Sequence, residues 1–187
     1  MKIVGIFVRT VAVVAMAMTI AACDQMQEAN KMVAEANSII RKSNESSTKS
    51  AVLLKELFGE VNTIEDHGSY KISKTEKLDE LLKLLEGSAN DLSEAGNKFE
   101  AASKLNVSDK FRDYLSLKGQ EIKKRSDHER ATTDFVKGFQ SENDPEKVNV
   151  MIGEFNSKSQ SIIKEADGLM KQAEQIVKDN PNEFKGN

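Results

Sequence analysis

Cysteine is almost absent from these 187 residues, occurring once, as Cys23. A single thiol excludes an intrachain disulfide framework and a cysteine-rich zinc site. Tryptophan is missing altogether, tyrosine occurs twice, and the two prolines are Pro145 and Pro181. Sheets draw on aromatic and β-branched residues, so their scarcity beside abundant Lys, Glu, Ala, Leu and Ser predicts long helices. Long hydrophobic runs are lacking as well. The longest uncharged stretch, Thr10 to Cys23, falls short of the roughly 20 apolar residues that span a bilayer. Nor is there an excess of positive charge, with 27 basic against 30 acidic residues. Nucleic acid is therefore not an expected partner, since its binding calls for a clustered basic face.

What the chain does have begins at its start. Lys2 and Arg9 precede the uncharged run, which ends in the small residues Ala21 and Ala22 before Cys23. A charged start, a short apolar centre and a small-residue end mark an export signal that is removed. Ile20-Ala21-Ala22-Cys23 resembles the lipobox of bacterial lipoprotein precursors, an aliphatic residue and two small ones before cysteine. The resemblance covers this leader only. It implies cleavage between Ala22 and Cys23 and acyl chains on Cys23, the one covalent group expected in place of a cofactor. One acyl chain anchors a protein marginally, whereas two or three hold it stably, at about 0.8 kcal/mol per buried CH₂. Asp24, directly after Cys23, resembles the inner-membrane retention signal of Gram-negative lipoproteins. The expected location is thus the cell envelope, on the inner membrane facing the periplasm in preference to the outer membrane.

Residues 1–22 form the expected signal peptide, and residues 23–187 a single helical domain of 165 residues with net charge −5. Apolar or small residues recur there at alternating steps of three and four, which places one side chain per turn on one helix face. The spacing predicts four helices, over about 25–62, 73–105, 109–140 and 145–178. Ser73 and Glu76 have the spacing of a capping box at the second helix, and Ser108 or Asp109 caps the third. Asn143-Asp144-Pro145-Glu146 combines a cap, a first-turn proline and an acid beside the helix dipole. The residues after Pro181 read as a frayed tail. Short connections favour antiparallel neighbours, hence an all-α, elongated, up-down-up-down four-helix bundle.

Antiparallel alignment brings the four midpoints to one height, where each helix loses its large apolar residues. Ser43 and Ser47, Ala89 with Ser88 beside it, Arg125 and Ser159 stand there as a candidate polar layer. In the simpler reading the serines are small fillers, and Arg125 turns outward with Asp127 and Glu129 onto a solvated face. In the other, a hydrated layer fixes register or admits a small ligand.

Catalytic and metal-binding patterns are not evident. His67 and His128 lack a second histidine at helical spacing or a Glu three residues before them, and both are expected to be exposed. Glycine-rich phosphate loops and a nucleophile elbow are missing. The expectation is a non-enzymatic envelope module, held at the membrane by its lipid, that contacts another envelope protein or itself. The alternative is a small-molecule-binding or sensing bundle that uses the polar layer.

Overall fold

The computed structural model describes residues 24–59 and 67–184. Four long helices follow one another: α1 Asp24–Phe58, α2 His67–Ser103, α3 Asp109–Ser141 and α4 Pro145–Asp179, with a one-turn α5 at Pro181–Phe184. Each packs against its neighbour in chain order, α1 on α2, α2 on α3 and α3 on α4, giving the expected antiparallel bundle. α1 and α4 are not among the closely packed pairs, so α4 is held mainly through α3.

The stripes read from the sequence are the buried faces. On α1 they are Ala29, Val33, Ala36, Ile40, Ser43, Ser50 and Leu57; on α2, Leu78, Leu81, Leu85, Ala89, Leu92, Ala95, Phe99 and Ala102. Register between these two helices shows in three ion pairs, Glu35–Lys98, Lys42–Asp91 and Glu56–Lys77. Steps of one and two heptads up α1 match equal steps down α2. Such solvent-screened pairs are individually weak, so they mark the register more than they supply it. α2 and α3 cross at bare backbone: a Cβ on Gly119 would lie 3.0 Å from Glu100 Cγ and 3.1 Å from the Gly96 carbonyl oxygen.

The apolar interior is in two parts. One cluster lies at the Asp24 end, where Val33, Ile40, Leu92, Phe99, Phe111, Leu115 and Ile122 meet Phe184 of α5. The other lies at the far end, with Leu57, Phe58, Leu81, Leu85, Phe135, Phe139 and Ile152. Phe58 packs on Phe135 and Phe139 at ring separations of 5.2 and 4.9 Å. Residues between the clusters, in the middle of every long helix, belong to neither.

Helix boundaries differ from expectation at the first connection and the tail. α1 stops at Phe58, where the Gly59 amide bonds Lys55 O, and residues 60–66 lie outside the described part. α2 starts at His67, so Ser73 lies inside it and its hydroxyl donates to Tyr70 O at 2.7 Å instead of closing a capping box. Tertiary contact explains the added turns. The Tyr70 hydroxyl donates to Leu57 O at 2.6 Å, and the buried Lys71 ammonium donates to Glu142 O and to Asn143 Oδ1 at the end of α3. Those bonds fasten the start of α2 to two other elements, which outweighs the local capping signal. Ser108 caps α3 and Asp144 caps α4 as the sequence suggests.

The tail is not frayed up to Phe184. Its ring is buried, 5.3 Å from Tyr114 and 6.1 Å from Phe111, closing the Asp24 end of the core. Replacing it with alanine is expected to cost roughly 3 kcal/mol of unfolding free energy, the lower part of the range for a buried Phe. Denaturant unfolding of Phe184→Ala measures this. A loss within a few tenths of a kcal/mol would mean that the ring is not part of the core.

Candidate functional site

The middle of the bundle is polar, and its polar atoms face one another. Ser43 and Ser47 come in from α1 and Ser88 from α2. Their hydroxyls lie 2.8 Å (Ser43 to Ser88) and 2.9 Å (Ser47 to Ser88) apart. From α3, Glu129 reaches the same point. Ser47 donates to its Oε1 at 2.7 Å, and Ser88 lies 3.2 Å from that oxygen. One turn below, Ser126 donates to Ala89 O at 2.7 Å. On the α4 side, His128 Nε2 and the Ser159 hydroxyl share a 2.8 Å hydrogen bond. All four long helices are therefore joined at this height by hydrogen bonds between side chains or to backbone.

Of the four residues singled out from the sequence, the structure brings Ser43 and Ser47 together and holds Ser159 on the neighbouring α3–α4 seam. Arg125 goes elsewhere. Its Nη2 lies 2.6 Å from Glu121 Oε1 and 4.0 Å from Met170 Sδ, and its side chain is 21% exposed. Glu121 is fully buried and is also paired with Lys118. The approach of Arg125 to Oε1 is close but poorly aligned, an ion pair more than a hydrogen bond. Arg125 is drawn into the bundle because a buried carboxylate needs compensating charge. Its expected outward turn beside Glu129 does not occur.

Burial sets the electrostatics here. It pushes the Glu129 carboxyl above the usual carboxylate range, against the opposing pull of the Ser47 and Ser88 hydroxyls. It pushes the His128 imidazole down, towards the neutral form. His128 is thus half-buried, and not exposed as expected. The Tyr114 phenol is pushed up to about 12 by burial and then by the nearby Glu121 charge.

Glu121, His128 and Glu129 were hidden by their surroundings in the charged stretch Glu121 to Arg130. A signal was available. Continuing the three-and-four step from Ile122 towards Val136 lands on Ser126, Glu129 and Thr133, and Ser126 and Thr133 are buried.

The arrangement has limited chemistry. The Ser159–His128 contact places a hydroxyl on an imidazole, but Ser159 sits in mid-α4, where backbone amides are committed to the helix and do not form an oxyanion hole. Glu129 binds the serines of the other two helices and so does not orient His128. Among the described residues no cluster of His, Cys, Asp or Glu could hold a metal ion. At the same height, a groove of about 390 Å³ opens to solvent between α1 and α2, lined by Lys42, Ser46, Lys83, Leu84, Gly87 and Asp91 among others. Charges of both signs line it.

Ala22 and Cys23, the expected cleavage and acylation residues, lie outside the described residues, and Asp24 is described only as the first residue of α1. Among the described residues no helix is long and apolar enough to cross a membrane. Compared with protein families, with curated proteins and with solved structures, the chain matches none.

The Glu121–Arg125 pair yields a direct test. Arg125→Ala leaves a fully buried carboxylate with Lys118 as its remaining cation, so unfolding free energy should drop by about 3 kcal/mol. Glu121→Gln with Arg125→Ala removes the stranded charge and should recover part of the loss. Equal losses in the single and double variants, read by denaturant unfolding, would show that the pair is not coupled.

Proposed function

We propose that the chain is a lipid-anchored cell-envelope protein acting as a non-catalytic interaction or scaffold module. The carrying observation is the lipobox-like Ile20-Ala21-Ala22-Cys23 set directly against α1, whose first residue is Asp24. On this reading, acyl chains on Cys23 root a rigid rod at the inner membrane, on its periplasmic side, with Asp24 as the retention residue. A helix of 35 residues at 1.5 Å each carries the far end on the order of 50 Å from the lipid.

Several features support a protein partner, either another envelope protein or a second copy. Among the described residues, the large apolar side chains most exposed are Val52, Ile72 and Val150. They sit late in α1, early in α2 and early in α4, which places all three in the half of the bundle away from Asp24. Exposed apolar surface on a rod tip suits contact with another protein. A ligand-binding bundle draws less support, because the hydroxyls of Ser43, Ser47 and Ser88 are engaged with one another and with Glu129.

Cys23→Ser should abolish acylation and leave unprocessed precursor in cells, as read by mass and by labelled palmitate. A normally lipidated product would sink the anchor assignment. Asp24→Ser should move the protein towards the outer membrane in fractionation, and unchanged fractionation would remove the retention claim. Crosslinking in intact cells from a photoreactive residue at Val52, Ile72 or Val150 should capture one defined protein partner. Crosslinks from mid-bundle positions alone would place the contact elsewhere.

A further inference from the structure

We propose that Glu129 makes the waist of the bundle a proton-responsive clasp, weakened while its carboxylate is ionised and tightened when it takes up a proton. The geometry carries this. A carboxylate drawn inside a helical bundle is ordinarily matched by a cation, as Glu121 is by Lys118 and Arg125. Glu129 is instead met by neutral hydroxyls. α1 presents Ser43 and Ser47, and α2 presents Ser88. On α3 its neighbours are His128, whose imidazole turns to Ser159 of α4, Arg125 one turn away, which is paired with Glu121, and the exposed Arg130, whose Nε reaches Ser126. Burial and the two serine hydroxyls govern its ionisation, with no cation among them.

The hydrogen bonds tolerate both protonation states. Ser47 and Ser88 both address Oε1. A proton on Oε2 therefore leaves the ties to α1 and α2 in place while removing the half-buried charge. The carboxyl titrates above its unfolded value, so the penalty for the ionised form is absent below about pH 4 and complete above the folded pKa. Stability at the waist is consequently lost as pH rises through that window. His128 works in the opposite sense. Half-buried and held towards its neutral form, it contributes stability that is lost as pH falls below about 6.5. Two adjacent residues thus oppose each other, and the response of Glu129 is read cleanly only with His128 replaced.

The test is thermal unfolding of the full chain between pH 4 and 8 for His128→Asn alone, with Glu129→Gln and with Ser47→Ala. Glu129→Gln should melt above its parent at pH 8, and the gap should close towards about pH 4. A gap that is constant across pH, or reversed at pH 8, overturns the proposal. Ser47→Ala removes a donor from the carboxylate and should move the transition of the parent curve to higher pH, whereas an unmoved curve also overturns it. Should Glu129→Gln fail to fold, a carbon-13 titration of the Glu129 carboxyl in the parent decides. A midpoint above those of the exposed glutamates supports the clasp, and one at or below them refutes it.

Discussion

A rod made of four amphipathic helices has a register problem, and the hydrogen bonds around Glu129 are placed where that problem is sharpest. Leucine and phenylalanine stripes bury area but discriminate poorly between one heptad and the next, since a slide by seven residues puts similar side chains back in the core. Hydroxyls and a carboxylate do discriminate. A slide of α1 by a heptad would set Leu54 or Ile40 where Ser47 now meets Ser88 and Glu129, leaving polar atoms short of a partner at about 1–3 kcal/mol for each buried group. The layer therefore specifies alignment, while the two apolar clusters on either side supply the larger share of burial.

The opposing effects can be ranked. Surface ion pairs such as Lys42–Asp91 and Lys137–Glu86 are solvent-screened and weak, although they agree with the register. Burial of rings such as Phe99, Phe111 and Phe139 at 0–1% exposure is worth about 1.5–3 kcal/mol for each side chain. Placing Glu129 and Glu121 inside works against that gain. Its outcome depends on the partners: Glu121 is compensated by two cations, whereas Glu129 has hydroxyls and is pushed towards its neutral form. Two carboxylates on one helix thus have different roles because of what the neighbouring elements bring to each.

Much of this was legible in the sequence, and the failures have physical causes. The stripes on α1, α2 and α4, the caps at Ser108 and Asp144, and the polar midpoint all follow from spacing that a helix converts directly into one face. The early start of α2 was not legible, because it depends on Tyr70 and Lys71 bonding to distant segments that no local pattern reveals. Phe184 looked like tail for the same reason: its partners Phe111 and Tyr114 are far away in sequence. The stretch from Lys123 to Arg130 misled because charge density suggests a solvated face. In fact Arg125 and Glu129 turn inward while Asp127 and Arg130 remain exposed.

The way α4 is attached gives the waist a further significance. α1, α2 and α3 are joined at mid-height by the hydroxyls that meet at Glu129, whereas α4 is joined there by the His128–Ser159 bond and by side-chain packing on α3. The apolar face of α4 is only partly covered, with Phe155, Ile162, Leu169 and Ile176 half-buried. Among the described residues α4 buries fewer side chains than any other long helix, and local stability follows buried contact. The waist lies at the height where large apolar contacts give way to hydroxyls. Charge at Glu129 and charge at His128 act at that same height, one on the inner seam and the other on the α4 seam. Two adjacent residues of α3 thus bring titratable groups to two different seams of the bundle at one height.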